Sequence, residues 1–97
     1  MFELEWTEEA RSNYSRLKAS PSQKKRYEAV KKTLLFLAAN PKHNSLETHE
    51  FTSLRGPAGE KVFEAYAQQK TSAAYRVFWY YGPTRGTITI VAITAHP

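Results

Sequence analysis

Two late segments constrain this chain more than anything else in it. Tyr75-Arg76-Val77-Phe78-Trp79-Tyr80-Tyr81 and Thr87-Ile88-Thr89-Ile90-Val91-Ala92-Ile93 are built almost wholly from aromatic and β-branched residues, and Gly82-Pro83-Thr84-Arg85-Gly86 separates them. That pattern predicts two neighbouring strands, Ala74–Tyr81 and Thr87–Ile93, joined by a turn. Period-two alternation puts Tyr75, Val77, Trp79 and Tyr81 on one face of the first strand and Arg76, Phe78 and Tyr80 on the other. On the second strand, Ile88, Ile90 and Ala92 oppose Val91 and Ile93. Both faces of such a sheet are too apolar to lie bare in water, so both need cover.

The rest of the chain supplies cover for one face. Phe2, Leu4 and Trp6 alternate with Glu3 and Glu5 as a half-buried strand. Thr7 offers a helix N-cap, with Glu8 and Glu9 where the helix dipole favours negative charge, and Ala10, Tyr14 and Leu17 hold helical spacing. Ser20-Pro21-Ser22-Gln23 reads as a capping box with proline in the first turn. Tyr27, Val30, Leu34, Leu37 and Ala38 then carry a second helix to the stop at Asn40-Pro41. Residues 42–60 lose all periodicity, which suggests a functional loop or short elements without a pattern. A further strand is expected over Lys61–Ala67, with a turn at Gln68–Ser72. The expected order is β-α-α-β-β-β, an α+β fold of two layers in one domain over residues 1–97. In it a helical hairpin packs on one face of a mainly antiparallel four-stranded sheet. The second face then calls for a partner segment, a homodimer contact or a substrate groove.

Composition removes several classes of chemistry. The 97 residues include no cysteine, and all nine acids are glutamate. Disulfides, thiolate nucleophiles and sulfur-bound zinc are excluded. His43 and His49 stand six apart, which is not the spacing of a helical ligand pair, so neither a metal nor another cofactor is expected. Gly56-Pro57-Ala58-Gly59-Glu60-Lys61 has the wrong spacing for a phosphate loop and reads as a turn. The longest apolar run, Leu34 to Ala39, is too short to span a bilayer, and the opening Met-Phe-Glu-Leu-Glu-Trp has no signal core. A soluble cytoplasmic protein is the expectation. Net charge is +5, yet residues 11–42 alone carry +8 and the remainder −3. Lys24, Lys25, Lys31 and Lys32 belong to that block, which either attracts a phosphate-rich partner or forms a solvated helix face.

Arg76 is the first candidate for chemistry. An arginine in so apolar a strand is costly unless its fork meets a phosphate or carboxylate, or is paired structurally with Glu64, Glu50 or a glutamate of the first strand. His96, one residue from the end, suits proton transfer or is merely a frayed terminus. Arg76, His96, Glu50 or Glu64, the aromatics Tyr66 and Tyr80, and the bases Arg55 and Lys61 are the residue types that metal-free RNA cleavage needs. A base takes the 2′-hydroxyl proton, a cation holds the phosphorane charge, an acid protonates the leaving oxygen, and aromatic rings stack on unpaired bases.

Leu54-Arg55-Gly56 before a strand, Tyr75-Arg76-Val77-Phe78-Trp79-Tyr80, Ile88-Thr89-Ile90-Val91-Ala92-Ile93 leading to His96, and the opening Trp6-Thr7-Glu8-Glu9-Ala10 together resemble the RelE/ParE superfamily of bacterial toxin–antitoxin toxins. The resemblance implies a hairpin on one face of a small sheet and a cleft on the other, covered by a cognate antitoxin. It implies metal-free cutting of mRNA on the ribosome, as in the RelE, YoeB and HigB branches. Arg76 matches the family arginine that holds the scissile phosphate, and His96 matches a terminal histidine of the YoeB-like and HigB-like branches. Glu64 and Tyr66 stand where RelE has two lysines, which implies a glutamate–histidine version with Glu50 or Glu64 as general base and His96 as general acid. In this reading the basic hairpin, with Lys24, Lys25, Lys31 and Lys32, docks on ribosomal RNA. The ParE branch offers the alternative of a DNA gyrase inhibitor without nuclease activity, and a catalytically silent antitoxin-binding relative is a third. A homodimer or a toxin–antitoxin hetero-oligomer is compatible with each.

Overall fold

In the computed structural model, which describes residues 1–71 and 73–96, the chain runs β1 (Glu3–Trp6), α1 (Glu8–Ala19), α2 (Lys24–Ala39), β2 (His49–Arg55), β3 (Lys61–Tyr66), β4 (Tyr75–Tyr81) and β5 (Thr87–Ala95). Ser72, expected at the end of a turn, and Pro97 lie outside the described residues. The strands form one sheet in the order β1-β5-β4-β3-β2. β1 lies parallel to β5, and the other pairs are antiparallel. The two-layer α+β arrangement is as expected, with five strands in place of four. The added strand, β2, comes from the patternless segment 42–60. It is an edge strand exposed along most of its length, so neither of its faces demands alternating hydrophobic residues. Among the described residues, no helix is long and apolar enough to cross a membrane.

Local signals explain the helices. Thr7 caps α1, its hydroxyl accepting the Ala10 N–H at 3.0 Å, and Glu8 and Glu9 occupy the first turn. The capping box expected for α2 does not form. Pro21–Gln23 winds into a 3₁₀ turn, the Ser20 hydroxyl meets Ser22 at 3.1 Å, and the Gln23 side-chain oxygen accepts from the Arg26 guanidinium at 3.0 Å. At the other end the Asn40 N–H reaches the Phe36 carbonyl at 2.7 Å, and the Asn40 side chain accepts from the Lys42 N–H at 3.1 Å, which stops the helix. The hairpin buries Ala10, Leu17, Val30, Leu34 and Leu37 against Ala65, Val77, Trp79, Ile88, Ile90 and Ile93. Tyr14 packs between Trp6 and Tyr27. Burial, then the hydrogen bond and charge of Tyr27 and the charge of Glu28, push its hydroxyl above the ordinary tyrosine value.

The strict alternation expected along β5 is broken once. β4 pairs Trp79 with Ile90 and Phe78 with Ala92, leaving Val91 as an extra residue. Ile88 and Ile90 face the helices before this bulge, and Ile93 faces them after it. Val91 and Ala92 pack on the opposite side with Val62, Phe78 and Tyr80. β1 ends at Trp6, so the outer edge of β5 is finished by α1. The Thr7 N–H donates to the Ile90 carbonyl at 3.0 Å, the Thr7 hydroxyl to the Val91 carbonyl at 2.6 Å, and the Asn13 side-chain oxygen accepts the Ile93 N–H at 2.9 Å. One residue therefore caps a helix and latches a bulge. Thr7→Val keeps the shape and removes both hydroxyl bonds. It is expected to lower the unfolding free energy by about 1–3 kcal/mol, read by urea denaturation, and to increase amide exchange at Ala10.

Candidate functional site

The face of the sheet away from the helices is not bare. Val62, Phe78, Tyr80 and Ala92 are buried there, with Phe51 of the edge strand and Val91 of the bulge laid against them. Phe51 meets Phe78 edge-on at 5.0 Å. The apolar half of this face thus covers itself, and the polar residues gather beside it.

Glu64 is the centre of that gathering. Its side chain is 2% exposed, and its two oxygens take different partners: Oε1 meets Nε2 of His49 at 2.6 Å and Oε2 meets Nδ1 of His96 at 2.8 Å. Both rings are about half exposed, at 49% and 47%. A carboxylate removed from water needs such partners, since burial of an unpaired charge costs several kcal/mol. His49 stands opposite Glu64 in the β2–β3 register. His96 depends on the bulge. Continuing the Trp79–Ile90 register without it would bring Ile93 opposite Arg76 and turn His96 toward the helices. The extra residue puts Thr94 opposite Arg76 and returns His96 to this face.

Arg76 lies opposite Tyr66 on the neighbouring strand, its guanidinium carbon 3.8 Å above the centre of the Tyr66 ring. Glu64 is its diagonal neighbour, about 7–8 Å away at usual sheet spacing. One guanidinium nitrogen donates to the Gln68 carbonyl at 2.9 Å and to the Tyr75 carbonyl at 3.4 Å, and the buried Nε has no hydrogen-bond partner among the described residues. Among the described residues no glutamate approaches within ion-pair distance, so the structural pairing with Glu64, Glu50, Glu3 or Glu5 is not made. Tyr66 also receives the His49 ring edge-on at 5.4 Å, joining arginine, tyrosine, histidine and glutamate in one contiguous patch.

The other sequence candidates lie apart from this patch. Glu50 stands opposite Phe63, which faces the helices, so it is on the other side of the sheet from Glu64. Arg55 and Lys61 pair at the far end of the β2–β3 hairpin, five residues along β3 from Tyr66, or roughly 17 Å. Tyr80 is on the site face but only 7% exposed, packed into the apolar cluster. Lys24, Lys25, Lys31 and Lys32 are exposed on α2, across the sheet from Arg76. Two cavities, of about 510 and 470 Å³, are lined respectively by residues including Phe63, Trp79 and Tyr81 and by residues including Asn13, Leu17 and Tyr75. Neither reaches Glu64, Arg76 or His96. The site is an open face, suited to an extended strand more than to an enclosed small molecule.

His49 is the site residue that sequence reasoning missed. Counting back from the hairpin turn, where Arg55 pairs with Lys61, places Thr52 opposite Glu64. The irregularity between Glu50 and Arg55 puts His49 there instead, and nothing in the sequence marks it. Support for Arg76 comes from α2. Arg26 donates through Nε to the Gln68 side-chain oxygen at 3.1 Å and lies over the Tyr75 ring at 4.3 Å. The same Gln68 oxygen accepts the Tyr75 N–H at 3.1 Å. Gln68→Ala deletes these acceptors and is expected to cost about 1 kcal/mol. Hydrogen exchange should show loss of protection at Tyr75, while the amides of α1 stay as slow as in the wild type.

No family model matches the chain, and no curated protein matches it in sequence. Solved structures do match in three dimensions. A YoeB/ParE toxin from Agrobacterium tumefaciens aligns at TM-score 0.72 and 11% identity, over 99% of this chain and 100% of that one. A YoeB dimer from Staphylococcus aureus aligns at 0.66 and 12%, over 99% and 98%. The intact RelBE toxin–antitoxin complex from E. coli aligns at 0.63 and 12%, over 100% and 99%. At such identities the likeness speaks for the fold, and the chain has the fold of the RelE/ParE toxin superfamily.

Proposed function

We propose that this chain is the toxin of a bacterial type II toxin–antitoxin pair and cuts mRNA on the ribosome without a metal ion. The observation that carries the reading is Arg76: a half-buried arginine free of every glutamate, held over Tyr66, beside a buried carboxylate that joins two half-exposed imidazoles. In this reading the guanidinium holds the scissile phosphate and the charge that grows on it, and the Tyr66 ring edge supports an adjacent base. Proton transfer falls to the Glu64–His96 pair rather than to Glu50, which stands across the sheet. The basic face of α2 is a separate surface for ribosomal RNA, reached by counterion release. A cognate antitoxin is the proposed protein partner, supported by the RelBE complex among the similar structures. The YoeB dimer supports self-association as a second assembly.

Primer extension on a message translated in a purified system tests the nuclease reading. Wild-type protein is expected to give cuts that require ribosomes. Arg76→Ala is expected to lower cleavage roughly 10²–10³-fold, as for loss of one preorganised charge-stabilising donor, with its circular dichroism unchanged. An uncut message together with inhibited supercoiling by DNA gyrase would replace this reading with that of a gyrase inhibitor.

A further inference from the structure

We infer that Glu64 is a positioning residue, which fixes the tautomer of His96 so that Nε2 of His96 is the atom that takes the proton from the RNA. The assignment rests on the nuclease reading above and divides the labour within its proton-transfer pair.

A carboxylate accepts and does not donate. Both oxygens of Glu64 are already committed, one to each imidazole, and the side chain is 2% exposed. That burial keeps the lone pairs left on its oxygens out of reach of a ribose hydroxyl. His49 is also engaged at both ring nitrogens, Nε2 with Glu64 at 2.6 Å and Nδ1 with the Glu47 carbonyl at 3.2 Å. His96 differs. Its Nδ1 is held by Glu64 at 2.8 Å, while Nε2 has no hydrogen-bond partner among the described residues, on a ring 47% exposed. With its Nδ1 proton donated to the carboxylate, neutral His96 carries its lone pair on Nε2, directed away from Glu64. Isolated imidazole gains nothing from that tautomer; the carboxylate selects it, as the buried acid of a serine-protease triad does for its histidine.

The 2′-hydroxyl proton passes to Nε2 of His96 as the 2′-oxygen bonds to phosphorus. The phosphorus–5′-oxygen bond breaks, the leaving oxygen takes a proton from water, and the hydroxide so formed removes the Nε2 proton, which returns His96 to its neutral form. The products are a 2′,3′-cyclic phosphate and a 5′-hydroxyl. His49 keeps Oε1 of Glu64 occupied and so directs Oε2 to His96.

Long-range proton–nitrogen NMR of the full chain labelled with ¹⁵N-histidine reads the tautomer directly. At a pH where the ring is neutral, wild-type His96 is expected to carry its proton on Nδ1, with Nε2 bare. In Glu64→Gln the amide has a single acceptor oxygen for two rings. His96 should revert to the Nε2-protonated form, and cleavage should fall roughly 10³–10⁴-fold, by analogy with the amide variant of a triad aspartate. An Nε2-protonated His96 in the wild type overturns the inference without need of any variant that must fold. So does wild-type cleavage by a folded Glu64→Gln protein. In both cases an inactive Arg76→Ala would leave the nuclease reading standing, whereas a wild-type protein that cuts nothing removes that reading and this one with it.

Discussion

A single extra residue in β5 governs where everything else on the open face falls. Up to Ile90 the strand keeps its isoleucines toward the helices, and from Ala92 onward the parity is reversed. Ile93 can then enter the helix-side core while Thr94 and His96 turn to the other face. Without the bulge the hydrophobic and polar sets of the strand end would exchange places, since a one-residue slip moves every side chain across the sheet. β1 stops at Trp6 beside Ile90, and the backbone groups of β5 beyond that point are met by the cap residue Thr7 and by Asn13 of α1. The N-terminus of the first helix is thereby tied to the position of the last histidine.

The second constraint is the burial of Glu64. A carboxylate at 2% exposure is tolerable only with charge-assisted partners, and the two histidines come from opposite directions, one on the edge strand and one at the chain end. This closes the polar half of the face much as Phe51 on Phe78 closes the apolar half. Among the described residues Arg76 has no carboxylate within ion-pair distance, and it is the cation that this face carries beside Glu64. Its orientation is held by Tyr66 below and by the Gln68 carbonyl, and Arg26 of α2 binds the side chain of that same Gln68 from the far layer.

Much of the fold was legible because its signals are local. The Thr7 cap, the Asn40-Pro41 stop and the alternation of Phe2, Leu4 and Trp6 each act within a few residues, and the two helices with the late strands followed from them. The sheet face of Arg76 was legible for the same reason. What could not be read depends on register. Val91 is an apolar β-branched residue among others of its kind, with no glycine to mark a bulge, so strict alternation put Ala92 on the wrong side. β2 lies at an edge, where no face needs to be apolar, and its pairing slips between Glu50 and Arg55, so neither the strand nor His49 had a sequence signature. For Glu50 and Glu64 the choice likewise rested on which side of β2 and β3 each residue occupies. The sequence pattern points to an external partner on the second face because it assigns no segment of the chain to cover it. Phe51 and Val91, the two residues displaced by irregular pairing, do much of that work.

The account separates two charged surfaces that the sequence runs together: the lysines of α2 on one layer and the Arg76–Glu64–His96 patch on the opposite face of the sheet. An NMR titration of the labelled protein with a short RNA, its scissile 2′-hydroxyl replaced by hydrogen so that it cannot be cut, tests that division most directly. Shifts concentrated at Tyr66, Arg76, Phe78 and His96, and lost in Arg76→Ala, are the predicted result. Shifts confined to Lys24, Lys25, Lys31 and Lys32, with the open face silent at saturating RNA, would contradict it.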